Sequence, residues 1–225
     1  MIGVFDSGRG GERVAKRLHS LMPSEDLLLL CDRENAPFGT KSEKELKAIL
    51  KTGIERLVDG GARRVIIGCC TMCTVLHTLP REYSDLCREI ITPTAKSAAL
   101  QTKNRSIALL ATERTVKSRA FERALTDINS KIKITPIQAQ ELVGIAEKGG
   151  ISTKEEEGQL NALLDRVALS DADTLILGCT HFGELLPSVR ARLSSICIVD
   201  SAHEGAMSLS LTENEKKEAG KIIKL

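Results

Sequence analysis

The chain has 225 residues, with 32 Lys and Arg against 30 Asp and Glu and a formal net charge of +2. Charges of both signs are interspersed, which leaves no footprint for nucleic acid or a membrane surface, and one Tyr with no Trp leaves no stacking platform for single strands. No apolar run reaches the roughly 18 residues of a spanning helix. The N-terminus enters Ile2-Gly3-Val4-Phe5 directly, without room for a signal peptide, so a cytoplasmic location is expected. Seven cysteines (Cys31, Cys69, Cys70, Cys73, Cys87, Cys179 and Cys197) are an odd number in a chain without secretory features, and they read as free thiols. Cys31 and Cys197 sit in apolar runs and are expected in the core, where free Cys packs as a small hydrophobe.

Taken in order, short apolar runs predict strands at 2–5, 27–31, 64–69, 89–92, 106–111, 132–137, 174–178 and 196–199. None shows polar alternation, the pattern of parallel strands buried on both faces. Between them, Ser42 with Glu45 forms a capping box before Leu46, Ile49, Leu50, Ile54 and Leu57, a helical spacing closed at Gly60-Gly61. Thr153 with Glu156 opens another helix, carrying Leu160, Leu163, Leu164 and Val167. The stretch 212–225 reads as a charged amphipathic helix packing back on the first half. Repeated βα units predict an α/β fold of two doubly wound parallel-sheet domains. Pro93, after the fourth strand, is the expected crossing point, giving domains of 1–93 plus 201–225 and of 94–200.

The halves echo one another. Val65-Ile66-Ile67-Gly68-Cys69 matches Leu175-Ile176-Leu177-Gly178-Cys179, an offset of 179 − 69 = 110. Residues 2–7 parallel 107–112 at an offset of 105. Two related halves, each ending a buried strand in a cysteine, suggest paired thiols facing one site. Ligands of such folds bind at the carboxyl ends of strands. Those ends carry Asp6-Ser7, Asp32, Cys69-Cys70-Thr71, Thr112, the stretch Gln138 to Glu147, and Cys179-Thr180-His181, with no lysine to form a Schiff base. A symmetric thiol pair suits removal of a proton from one face of a carbon and return of a proton to the other; thiols titrate near 8.5, and local partners shift that value.

Two other motifs carry weaker signals. Gly8-Arg9-Gly10-Gly11 has Arg13 where a dinucleotide fingerprint needs its third glycine, so it reads as a tight strand-to-helix turn whose amides can hold an anion. Cys70-Thr71-Met72-Cys73 is formally a Cys-x-x-Cys; with Cys179 and His181 it makes a four-ligand zinc alternative, while helix packing explains Cys73 more simply.

The chain resembles the glutamate racemases, within the aspartate/glutamate racemase superfamily. The matching segments are Ile2-Gly3-Val4-Phe5-Asp6-Ser7-Gly8 with Gly10-Gly11, Pro37-Phe38-Gly39-Thr40-Lys41-Ser42, Gly68-Cys69 with Thr71, Thr112-x-x-Thr115-Val116-Lys117-Ser118, Gly178-Cys179-Thr180-His181 and Asp200-Ser201-Ala202. The resemblance implies two pseudo-symmetric domains with an interdomain active site, no cofactor and no metal. It implies Cys69 and Cys179 as acid–base thiols, with Asp6 and His181 as the polar partner of one each and Glu147 as an acidic residue near the second. Asp6, Ser7, Phe38, Gly39, Cys70, Thr71, Thr112, Thr115 and Thr180 fall at substrate-binding positions. The implied reaction interconverts L- and D-glutamate for peptidoglycan synthesis, on a small-molecule amino acid, in an expected homodimer. Aspartate or another carboxylic acid is the alternative substrate, and a non-catalytic amino-acid-binding protein the alternative class. The family usually has Asn where this chain has Cys70, Tyr where it has Phe38, Tyr-Pro where it has Phe182-Gly183 and Gly where it has Ala111; Arg9 adds a charge to the first loop.

Overall fold

Runs of Val, Ile and Leu that are apolar at every position fit strands covered on both faces. The computed structural model describes residues 1–211 and 221–225 and arranges those runs as two parallel sheets. In chain order the first part holds β1 (Ile2–Asp6), α1 (Arg9–Leu21), β2 (Leu27–Cys31), α2 (Glu43–Asp59), β3 (Arg64–Ile67), α3 (Cys70–Cys73), α4 (Arg81–Ser84) and β4 (Cys87–Arg88). Then come α5 (Ile91–Gln101), β5 (Ser106–Ala111), α6 (Glu113–Ser118), α7 (Ala120–Ile128), β6 (Lys133–Gln138), α8 (Leu142–Glu147) and α9 (Lys154–Ala168). The chain continues with β7 (Thr174–Gly178), a 3₁₀ turn (Thr180–Leu185), α10 (Leu186–Arg192), β8 (Cys197–Asp200), α11 (Ser201–Leu211) and β9 (Ile222–Lys224).

The first sheet has the order β4-β3-β1-β2-β9 and the second β6-β5-β7-β8. Apart from β9, the order is the same in both when strands are counted from the first of each half. β3 and β7 therefore hold equivalent places, each hydrogen-bonded in parallel to the first strand of its half.

The period-2 geometry of strands divides their side chains between layers. Ile2, Val4, Leu27 and Leu29 of the first sheet, and Ile107, Leu109 and Ile176 of the second, enter one shared core with Val14, Leu18, Ala95 and Ala206 of α1, α5 and α11. Phe5, Leu28, Leu30, Val65 and Ile67 turn the other way, onto Leu46, Leu50, Ile54 and Leu57 of α2. Ala108, Leu110, Leu175 and Leu177 likewise face Leu160, Leu163 and Leu164 of α9. The two sheets thus sandwich a common helical layer. A fully buried aliphatic side chain contributes about 1.5–3 kcal/mol, so truncating Leu109 in that layer loosens both halves together.

The fold departs from sequence expectation at four places. The run 89–92 is not a strand: the fourth strand is Cys87–Arg88, and α5 begins at Ile91. The Glu89 carboxylate accepts the N–H groups of Ile91 and Thr92, and Pro93 lies in the first turn, where a missing N–H costs no helical bond. Strand β3 ends at Ile67, and Gly68-Cys69 leads in extended form to α3. At the C-terminus, Ile222–Lys224 is no helix; it adds to the first sheet as an edge strand in register Leu27↔Ile222, while 212–220 lie outside the described residues. Cys31 and Cys197 are only half-buried, because one ends its strand and the other lies on an edge strand. Cys31 donates to the Gly8 carbonyl at 3.2 Å, and Cys197 to Gln101 Oε1 at 2.6 Å.

Candidate active site

The carboxyl ends of β1, β3, β5 and β7 bring most of the singled-out residues to one buried interface. Gly68 donates its N–H to the Phe5 carbonyl at 2.8 Å, which sets Cys69 beside the Asp6 end of β1. Cys69 then opens α3, its carbonyl accepting from the Cys73 N–H at 3.0 Å. Asp6 is fully buried. Its Oδ1 accepts from the amide and the hydroxyl of Ser7, and its Oδ2 from the Thr180 hydroxyl at 2.9 Å, a bond between the two halves. Burial pushes the Asp6 carboxyl up, against the His181 charge and the bonds from Ser7 and Thr180. Burial, followed by the charges of Asp6 and Cys179, pushes the Cys69 thiol well up. Cys69 therefore rests as a neutral thiol.

The second thiol follows Gly178, which pairs with Ala111 of β5. Cys179 Sγ lies 3.8 Å from His181 Nδ1, and His181 Nε2 lies 2.9 Å from Glu147 Oε2. The same Glu147 oxygen accepts the Arg9 N–H at 3.0 Å, so the turn expected to hold an anion holds this carboxylate. Arg33 Nε stands 3.9 Å from Glu147 Oε1. Burial works against an imidazolium at His181, but hydrogen bonds to Cys179 and Glu147, with the charges of Cys179 and Asp6, carry its pKa up to about 11. The bond to His181 in turn holds Glu147 below its ordinary value. Carboxylate, imidazole and thiol form a line along which a proton can be shared or passed. Gly10 is required where α1 crosses this line, because a Cβ there would fall 2.2 Å from Thr180 Oγ1 and 2.8 Å from Asp6 Oδ2.

A cluster of hydroxyls joins the two halves. Thr71 Oγ1 is 2.9 Å from Thr112 Oγ1 and 3.3 Å from Thr115 Oγ1, and Thr112 donates to Thr115 at 2.9 Å. All three are buried. Thr71 comes from the first half and the other two from the second. Each hydroxyl can donate or accept, so the cluster can turn its donors toward a carboxylate. Gly39, in the 3₁₀ turn Phe38–Thr40, closes on Thr112 and Gln140.

Two residues at implied substrate positions have side chains packed in hydrophobic cores, Phe38 in the same one as Cys69. The Phe38 ring packs on Phe5 with centroids 6.1 Å apart, in the core under α2. Cys70 enters the shared core, beside Ser201. Among the described residues no three His, Cys, Asp or Glu side chains are grouped to hold a metal ion, so Cys70, Cys73, Cys179 and His181 do not converge as ligands. Sequence reasoning missed the Arg9 amide and Arg33 as partners of Glu147, and it reached Gln140, whose buried Oε1 has no hydrogen-bond partner among the described residues, only as part of the stretch Gln138 to Glu147. Side-chain direction in those loops follows from how the halves meet, and no local pattern announces it.

Comparison with known proteins gives the family and the fold. The family described as Asp/Glu/Hydantoin racemase matches residues 12–209. The glutamate racemase of Thermoanaerobacter pseudethanolicus is 35% identical over 203 residues, 89% of this chain and 76% of that protein. That of Pediococcus pentosaceus is 34% identical over 205 residues, 90% of this chain and 77% of its own. Among solved structures, a glutamate racemase isoform from Bacillus anthracis superimposes with a TM-score of 0.91 at 27% identity, over 100% of this chain and 87% of that one. Escherichia coli glutamate racemase, in complex with L-glutamate and the activator UDP-MurNAc-ala, does so with a TM-score of 0.79 at 27% identity, over 97% and 84%. Fold and relatives together define an isomerase that racemises amino acids. The chain belongs to the Asp/Glu/hydantoin racemase family, and glutamate racemases are the relatives it resembles over most of its length.

Proposed function

We propose that the protein interconverts L- and D-glutamate by acid–base catalysis with two thiols, Cys69 and Cys179, using no metal or organic cofactor, and that its D-glutamate supplies peptidoglycan synthesis in the cytoplasm. The observation that carries this reading is the convergence of two strand–Gly–Cys ends, each with its own proton partner, on one buried interface. In one direction a thiolate takes the α-proton, and the electron pair of the C–H bond stays on the α-carbon, delocalised into the α-carboxylate. The opposite thiol then gives its proton to the other face. Turnover leaves the first sulfur protonated and the second as thiolate. Asp6 beside Cys69, and His181 backed by Glu147 beside Cys179, hold the protons between turnovers. Ser7, Gly39, Thr71, Thr112, Thr115 and Thr180 orient the substrate's carboxylates and ammonium. The domains 1–93 plus 201–225 and 94–200 open to admit it. Glutamate is favoured over other acids by the relatives, since the E. coli enzyme's structure holds L-glutamate.

The test is incubation with L-glutamate in deuterated water, following the α-hydrogen by NMR and the optical rotation in parallel. Loss of both is expected. Cys69→Ala and Cys179→Ala should each lower the racemisation rate at least about a hundredfold, the span that a positioned acid or base contributes. Near-normal turnover in either variant sinks the two-thiol mechanism, and faster turnover of aspartate than of glutamate sinks the substrate assignment.

A further inference from the structure

The 3₁₀ turn Thr180–Leu185 carries both Thr180, which bonds Asp6, and His181, which faces Cys179, Glu147 and Asp6. Such turns have poorer hydrogen-bond geometry than α-helices and need fixing from outside. Besides the bonds of Thr180 to Asp6 and His181 to Glu147, the turn is held from outside by Arg13 of α1. Its guanidinium bonds Asp200 Oδ2 at 2.6 Å, at the end of β8, and stands 3.9 Å from Glu184 Oε1. Glu184 is also 3.6 Å from Arg9. Between these acids the guanidinium lies directly against Gly183: a Cβ at that position would fall 2.0 Å from Arg13 Cζ. Gly183 has no left-handed backbone to accommodate, so what glycine supplies there is room. Arg13 and Gly183 are therefore one unit, in which the arginine can sit on the turn only because the turn lacks a side chain.

We infer that Arg13 is a positioning residue for the second thiol. It clamps the turn two residues beyond His181, so that the imidazole stays between Cys179 and Glu147. This rests on the two-thiol reading, and Arg13 itself reaches neither sulfur.

A double-mutant cycle tests it. Arg13→Met and Gly183→Ala should each lower kcat by about ten- to a hundredfold, the cost of a small misplacement, with KM for glutamate little changed. In the Arg13→Met background Gly183→Ala should cost almost nothing more, because the clash has gone; neighbours sharing a contact are non-additive in this way. The high-pH limb of the kcat profile should move to lower pH in Arg13→Met, since an imidazolium less firmly held against Glu147 loses its proton sooner. Arg13→Lys should restore part of the rate. If Arg13→Met unfolds, Asp200→Asn removes the clamp's charge partner at equal size and should give the same shift of the pH limb. Wild-type kcat and pH profile in a folded Arg13→Met or Asp200→Asn protein overturn the inference, as does an undiminished cost of Gly183→Ala in the double variant. Racemisation that survives Cys179→Ala indicts the two-thiol reading instead, so the two failures are told apart.

Discussion

Cys69 and Cys179 stand at equivalent positions in unlike company. The repeat made both legible, because a strand, a glycine and a cysteine recur beside a second recurring strand. The proton partners were legible only through family resemblance, since the repeat does not relate them: Asp6 corresponds to Ala111, and His181 to Thr71. Cys70 was illegible for another reason: which way the first residue of a short helix points depends on the core beneath it. The His181–Glu147 bond yields a pH prediction. The folded His181 value, about 11, lies above its unfolded 6.5, so its contribution is whole below 6.5 and fades as the pH rises toward about 11. Glu147 lies below its unfolded 4.5, so its contribution is whole above 4.5 and fades as the pH falls. Glu147→Gln should therefore lower Tm by roughly 2–4 °C near neutrality, a partly solvent-screened effect, and by less as the pH is taken below 4.5, for example to about pH 3. An equal loss at both pH values would show that the bond carries no charge.

At the scale of elements, caps were the reliable signals. The Ser42–Glu45 and Thr153–Glu156 boxes place the starts of α2 and α9 as read, with both reciprocal bonds made. The run containing Ile90 and Ile91 misled because a short buried apolar stretch fits strand or helix alike. The carboxylate of Glu89 decides it by satisfying the first N–H groups of α5. Replacing Glu89 by Ala should cost about 1 kcal/mol in urea unfolding, as other cap losses do, and leave kcat unchanged; a stability equal to wild type would return the start of α5 to intrinsic propensity. Strand β9 was beyond reach of local reading, because three residues become a strand only by adding to the edge that β2 offers.

At the scale of the molecule, both thiols are 6% exposed, and the proposed reaction requires the halves to part for substrate to reach them. Ion pairs cross the interface, among them Arg114 to Glu43 at 2.9 Å and Arg13 to Asp200 at 2.6 Å. An alkylating reagent followed by mass spectrometry should modify half-buried Cys197 well before Cys69 and Cys179, and glutamate should slow the latter pair further; Cys31, whose thiol burial pushes up to about 12, should react slowly although half-buried. Glu43→Ala, which removes an exposed pair, should speed labelling of Cys69 by no more than about fivefold. Labelling of Cys69 as fast as Cys197 would mean that the interface stands open. The unlike company of the two sulfurs has one last consequence, which is thermodynamic. Mirror-image amino acids have the same free energy in water, so the equilibrium constant of a racemisation is unity and kcat/KM must be equal in the two directions. A carboxyl beside one thiol and an imidazolium beside the other therefore cannot make the protein prefer either product. Their difference can only divide a shared kcat/KM unequally, so that whichever enantiomer is held more tightly is turned over more slowly in the same proportion.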